Sequence, residues 1–387
     1  ESPLAIREPY ITIAGQTAPG DGICISRYPL TIHADQVIIR HLRLRLGDEA
    51  GEAVDALSAR FVKNVIIDHV SASWSVDETL SLYHCDSLTV QWCLISESLY
   101  NSAHEKGNHG YGAIWGGDHS TYHHNLLAHH SSRNPRFASG SMLTDFRNNV
   151  IYNWGFNSAY GGEEVERGRE DLFNFTTINM VANYFKPGPA TQPGRISYRI
   201  INPTSRHTEE DYGRWYVADN VMEGHVIVTR NNWAGGVQPQ DGDEYLDLIR
   251  VDEAFAGTMP IEPQTAEAAY ASVLEKAGAT LPRRDTIDAR IVAETRGGTA
   301  TYEGATYRRD HRLADRESEA PCGILDTQAD VGGWPDYAST PPPVDTDHDG
   351  MPDEWEDGQG LDKDDPADGN QVTDGGYTML EVYLNSL

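Results

Sequence analysis

Short runs of β-branched and other apolar residues recur through the first two thirds of the chain: 10-YITIAGQT, 37-VIIRHLRLRL, 65-VIIDHVSASW, 88-LTVQWCLISE, 121-TYHHNLLAHH, 145-DFRNNVIYNW, 177-TINMVANYF and 215-WYVADNVMEG. Polar or glycine-rich loops separate them, and no long helical periodicity intervenes, so each run predicts strands. Aligned, they place Asn125, Asn149, Asn183 and Asn220 at one register, at unequal intervals of roughly 24 to 37 residues, as in solenoid coils with loops of different length. Strands stacked in parallel put like residues in ladders, where buried Asn side chains hydrogen-bond to one another and to turn backbone. These asparagines read as architecture, and the fold class as all-β: a right-handed parallel β-helix spanning residues 1–235. Open coil ends expose strand edges. Because the chain starts directly in strand-like material, an N-terminal cap is expected to be missing.

The pattern changes from about residue 236. Residues 264-QTAEAAYASVLEKAGA predict a helix ending near Gly278, and 284-RDTIDARIVAET a second. An irregular, partly helical extension over 236–340 is expected to pack along the solenoid. Prolines 341–343 mark a linker to a tail over 344–387.

Charge narrows the functional classes. Among 387 residues, 59 acids against 30 bases give a net charge of −29, which repels nucleic acid and anionic membranes at long range. No apolar run is long enough for a membrane span. An anionic substrate stays admissible where positive charge is local or a cation bridges. Cys24, Cys85, Cys93 and Cys322 lack metal-finger spacing and read as small buried hydrophobes.

In the tail, 345-DTDHDGMPDEWE follows the calcium-loop pattern D-x-D-x-D-G-x5-E. Calcium needs several hard oxygens around one point, and the spacing offers Asp345, Asp347 and Asp349, the Met351 carbonyl, Asp353 through water, and a bidentate Glu356. The segment 376-GYTMLEVYLNSL predicts a helix that closes over the loop. The segment resembles thrombospondin type-3 and dockerin calcium repeats, implying a structural or tethering site.

Residues 104–147 hold seven of the fifteen histidines together with Lys106, Arg133, Arg136 and Arg147, so an anionic ligand belongs here. His123 and His124 adjoin on a strand and are expected on opposite faces, as are His129 and His130. Ring stacking therefore fits these histidines better than a metal centre. His109, in the loop 107-GNHGYG, is the better substrate-binding candidate. Arg133 and Arg136 in 131-SSRNPRF would ordinarily read as two solvated loop arginines, although two guanidiniums near one another also suit paired carboxylates. Upstream, Asp55, Asp68, Asp77 and Glu78 lie near strand ends and are candidates for a second metal site.

The segments 10-YITIAGQTAPGDG, 66-IIDHVSASWSVDETLS, 121-TYHHNLLAHHSSRNPRF and 148-NNVIYNWG, in this order, resemble the pectate lyase family. The resemblance spans about residues 5–235, and weakly to 335. It implies β-elimination on polygalacturonate with Ca2+ as cofactor, in a secreted or cell-surface monomer. By motif position Arg133 matches the family's base, Arg136 a substrate-binding arginine, and Asp55 and Asp77 calcium ligands. Lys106 is the candidate for the family's substrate lysine. Where the family commonly has another carboxylate four residues after Asp77, this chain has Ser81, and Glu78 is the compensating candidate. Two alternatives stay open: a pectin lyase-like enzyme on esterified polymer, and a non-catalytic carbohydrate-binding β-helix at the cell surface. A hydrolase would need an adjacent aspartate pair on a central strand, which is missing.

Overall fold

The computed structural model describes residues 2–165, 168, 175–208, 211–256, 259–311, 313 and 320–387. Its body is a parallel β-helix. Eight strands, from Cys24–Ser26 to Val221–Met222, form one sheet, and fourteen form another with two arms. The long strands Glu78–Gln91 and Tyr111–His123 run through both arms and bend where their pairing shifts between Tyr83 and Cys85. Every pairing between these strands is parallel, so three faces wrap one core.

Register explains the core. Ile13, Ile39, Ile67, Val90, Tyr122, Phe146, Met180 and Val217 stack on successive coils. The ladder passes from aliphatic to aromatic side chains partway along. On the next position of the same arm, side chains point outward and form a polar ladder: Arg40, Asp68, Gln91, His123, Arg147. Asp68 belongs to this ladder and not to a metal site. It accepts hydrogen bonds from Arg40 Nε (2.9 Å) and Gln91 Nε2 (3.0 Å) and pairs with His69. Burial opposes its charge, but these partners hold its pKa down to about 2.

Corners are made by single left-handed residues. His41, His69, Trp92 and His124 have φ between 52 and 55°, and their rings stack in sequence at 4.7, 6.0 and 4.2 Å between centroids. A non-glycine residue at positive φ is unfavourable alone, and stacking offsets that cost. The corner also corrects the expectation that His123 and His124 face apart. The left-handed turn at His124 breaks strand alternation, so their Nδ1 atoms lie 2.8 Å from each other.

Beside the ring stack runs the predicted asparagine ladder. Asn125 Nδ2 donates to Asn149 Oδ1 (2.9 Å), Asn149 to Asn183 (3.0 Å), and Asn183 to Asn220 (2.8 Å). Asn232 extends it by one rung (3.0 Å). All are buried, so each amide must be satisfied inside the stack.

Helices Ala266–Lys276 and Thr286–Gly297 cover the eight-stranded sheet, burying Val273, Leu274, Ile287 and Ile291 against Leu94, Leu126 and Val150. The second helix starts two residues later than the sequence pattern suggests, because Asp285 accepts the Asp288 N–H (2.8 Å) and caps it. Asp285 and Asp288 also pair with Arg45 at 2.7 and 2.8 Å, beneath full burial of the guanidinium. The four cysteines are free. Among the described residues no helix is long and apolar enough to cross a membrane.

The tail forms helix Asp353–Gln359 and, at the end, Met379–Ser386, whose Thr378 and Glu381 make a reciprocal capping box. It touches the first coils through Gln16 Nε2 donating to Leu384 O (3.2 Å) and Arg40 Nη1 to Asn385 Oδ1 (3.0 Å).

Candidate active site

One arm of the large sheet presents an outward ladder of Thr31, Ser58, Ser81, Ile114, Arg136, Tyr160 and Asn202. Their strand neighbours, such as Leu80, Ala113 and Phe137, point into the core. At the rim where these strands begin, successive coils supply Asp55, then Asp77 and Glu78, then Tyr111, then Arg133. The coil spacing of about 4.8 Å brings groups remote in sequence into one line.

Asp55, Asp77 and Glu78 each place a carboxylate oxygen within 4.8 Å of the others. Asp55 Oδ1 accepts the Glu78 N–H (3.0 Å), which locks the loop to the strand start. Burial and then the Asp77 charge push the Asp55 pKa up to about 7, against Ser81, Arg60 and Arg133. A carboxylate so raised marks negative charge that the protein's own cations leave uncompensated, which fits a divalent ion. Ser81, 1% exposed, lies on the groove floor with Arg136 two coils away. The carboxylate set is therefore built from the rim.

Arg133 sits over this set. Its guanidinium contacts Glu78, lies 4.5 Å from the Tyr111 ring centre, and donates from Nε to Tyr160 Oη (3.2 Å). It occupies a left-handed backbone position, φ 59°, the kind of constrained geometry that tends to collect at functional sites.

His109 Nε2 lies 2.8 Å from Asp77 Oδ1, and His104 Nε2 lies 3.3 Å from the same atom. The two rings stack at 3.9 Å. Burial works against the Asp77 charge, but His109 and then His104 hold its carboxyl below the ordinary aspartate value. Lys106 is exposed in the same loop, and its backbone N–H donates to His104 Nδ1 (3.0 Å).

Arg136 lies on the groove floor, but its guanidinium is turned into the protein and is 10% exposed. Its Nη2 donates to both oxygens of buried Glu163 (3.2 and 3.1 Å), which Ser139, Thr204 and Arg206 also engage. The two arginines therefore differ in surroundings, Arg133 at the rim and Arg136 held by Glu163. Arg136 braces the floor, while Arg206, 53% exposed, reaches over the same glutamate.

In the tail, Asp345, Asp347 and Asp349 converge, and Asp349 also converges with Glu356 and Asp368. Glu356 is fully buried with neither oxygen hydrogen-bonded. Burial, then Asp347, Asp349 and Asp368, push its pKa up to about 7. Orphaned buried carboxylate oxygens fit a bound cation. Asp353 lies outside these two clusters, its two oxygens accepting from Thr346 N and Oγ1 at 2.8 Å each. Met351 is buried, its N–H donating to Asp349 (2.8 Å).

Sequence reasoning missed His104, Tyr111, Tyr160, Glu163, Arg206 and Asp368. His104, five residues before His109, and Tyr111, two residues after it, had a local signal in the same glycine-containing segment. The others are neighbours only across coils or loops.

No family model matches the chain. The probable pectate lyase C of Aspergillus flavus is 31% identical over 382 residues, covering 97% of this chain and 78% of that protein. The probable pectate lyase C of Aspergillus terreus is 30% identical over 379 residues, with the same coverage of 97% and 78%. The crystal structure of a pectate lyase from Bacillus sp. N165 in complex with trigalacturonate overlays with a TM-score of 0.41 at 16% identity, over 65% of this chain and 71% of that one. On identity and coverage with the Aspergillus relatives, this chain belongs to the pectate lyase family.

Proposed function

We propose that this enzyme cleaves polygalacturonate by calcium-assisted β-elimination, leaving unsaturated oligogalacturonides, and that it acts as a secreted protein on an external polymer. The observation that carries the reading is the meeting of Asp55, Asp77 and Glu78 with the Arg133 guanidinium at one rim of the large sheet's outward face.

Asp55, Asp77 and Glu78 would hold the ion. Calcium, when bound there, neutralises a uronate carboxylate and so acidifies the hydrogen on C5 beside it. The chain's own residues do the rest. Arg133, clamped between Tyr111 and Tyr160, is positioned to take the C5 hydrogen while the glycosidic oxygen departs from C4. An arginine holds its protons tightly, so this role favours alkaline conditions. Exposed Lys106 and Arg206 supply cations to the carboxylates of neighbouring sugar units. Arg136, fixed by Glu163, keeps the floor rigid, and His109 orders the Asp77 rim. In the tail, Asp345, Asp347, Asp349, the Met351 carbonyl, Glu356 and Asp368 form a second calcium site with a structural role.

Incubation with polygalacturonate, with and without chelator, tests the reading. UV-absorbing unsaturated ends should form only with calcium, and Arg133→Ala should lower the rate by on the order of a thousandfold in a folded protein. Reducing ends without unsaturation, or a fully active Arg133→Ala, would sink it.

A further inference from the structure

Two histidines face the carboxylate set, and their hydrogen bonds separate their roles. His104 Nδ1 accepts the Lys106 backbone N–H at 3.0 Å. A backbone N–H only donates, so in the neutral ring the proton sits on Nε2, which lies 3.3 Å from Asp77 Oδ1. His104 therefore orients the carboxylate as a donor.

His109 differs. It is 4% exposed, and among the described residues no backbone donor fixes its tautomer as Lys106 fixes that of His104; its buried Nε2 meets only carboxylate oxygens. That nitrogen points into the cluster, 2.8 Å from Asp77 Oδ1 and 3.7 Å from Glu78 Oε1. The ring is held between His104 (3.9 Å) and Tyr111 (3.8 Å). Its backbone is pinned by its N–H to Tyr100 O (2.6 Å) and by Ser131 Oγ donating to its carbonyl (2.7 Å). Asp77 belongs both to the all-carboxylate group with Asp55 and Glu78 and to a group with His104 and His109.

We propose that His109 Nε2 is a direct nitrogen ligand of the cation held by Asp55, Asp77 and Glu78, so that the groove takes borderline divalent ions such as Mn2+ and Co2+ as well as calcium. This rests on the cation reading of the groove given above. Calcium prefers a shell of hard oxygens, whereas an imidazole nitrogen adds affinity for first-row transition metals.

The test uses the full chain carrying Glu356→Gln, which disables the tail loop, loaded with Mn2+ alone. Pulsed EPR should report a directly coordinated nitrogen that His109→Gln removes. Titration with Co2+ should show an affinity loss of about tenfold or more in His109→Gln, against less than about threefold for Ca2+. If His109→Gln does not fold, the parent prepared with 15N-histidine decides: the nitrogen signal must change isotope pattern, and an unchanged spectrum overturns the proposal. Mn2+ that binds without nitrogen coupling, yet is lost in Asp77→Asn, overturns the nitrogen ligand and leaves the cation reading intact. Binding that survives Asp77→Asn undiminished overturns both.

Discussion

In the coiled body, buried carboxylates face the protein's own cations. Asp285 meets Arg45 at 2.7 Å, Glu294 meets His129 at 3.0 Å, and Glu163 meets Arg136 at 3.1 Å. In the tail, Asp349, Glu356 and Asp368 face one another instead. Burial opposes the charge in both regions. Partners reverse it in the body, holding Asp285 and Glu294 near a pKa of about 2, whereas in the tail like charges add to it and carry Glu356 to about 7. The body folds on internal pairing, while the tail crowds carboxylates against one another. The rim of the groove shares the tail's character, since Asp55 is raised in the same way.

The largest effect expected from breaking this contrast is in the body. Asp285→Asn leaves Arg43 and Arg45, both 0% exposed, short of a counter-charge, and should cost about 3 kcal/mol of unfolding free energy in denaturant titration. Asp288 still pairs with Arg45, which keeps the loss from being larger.

Acid should act on the same groups. Asp68, Asp285 and Glu294 have folded pKa values of about 2, below their ordinary 3.8, 3.8 and 4.5. Each is charged in the folded form while the unfolded form takes up a proton, so stability is complete above about pH 4.5 and is lost as pH falls toward 2. The loss should be on the order of 2 kcal/mol per group, read as a falling denaturation midpoint.

In the tail, removing a charge should change sign with the metal. Glu356→Gln is expected to protect 344–387 from proteolysis in chelator by about 1 kcal/mol of local stability, and to weaken the tail in calcium. Protection in both conditions would show that no cation is needed there. The smallest effect should be catalytic: truncation before Asp345 should leave the rate on polygalacturonate within about twofold, because the loop contributes nothing to the groove.

Local patterns made much of this legible. Recurrent apolar runs and the asparagine register announced stacked coils, and Gly278 marked the end of the first helix within two residues. The tail loop was readable because all but one of its acids lie within twelve consecutive positions. Arg136 shows the limit. Its motif position suggested a substrate-binding arginine, and nothing near it in the chain pointed to Glu163, nearly thirty residues later, which holds its guanidinium. Asp353 likewise has a partner, Thr346, that its spacing in the loop did not announce. Nothing in the linear order foretold either, because competition between hydrogen-bond partners is decided by neighbours that only folding supplies.

By itself, then, the amino-acid order determined the coil repeat, the residues that line its core, and the residue types available at the groove, since these depend on periodicity and on a few residues at a time. Tertiary structure decided which of those residues are free to act. Coil stacking at about 4.8 Å sets Asp55, Asp77, Tyr111 and Arg133 in line across tens of residues. The same stacking chooses which charges are neutralised inside the protein and which crowd together at the rim.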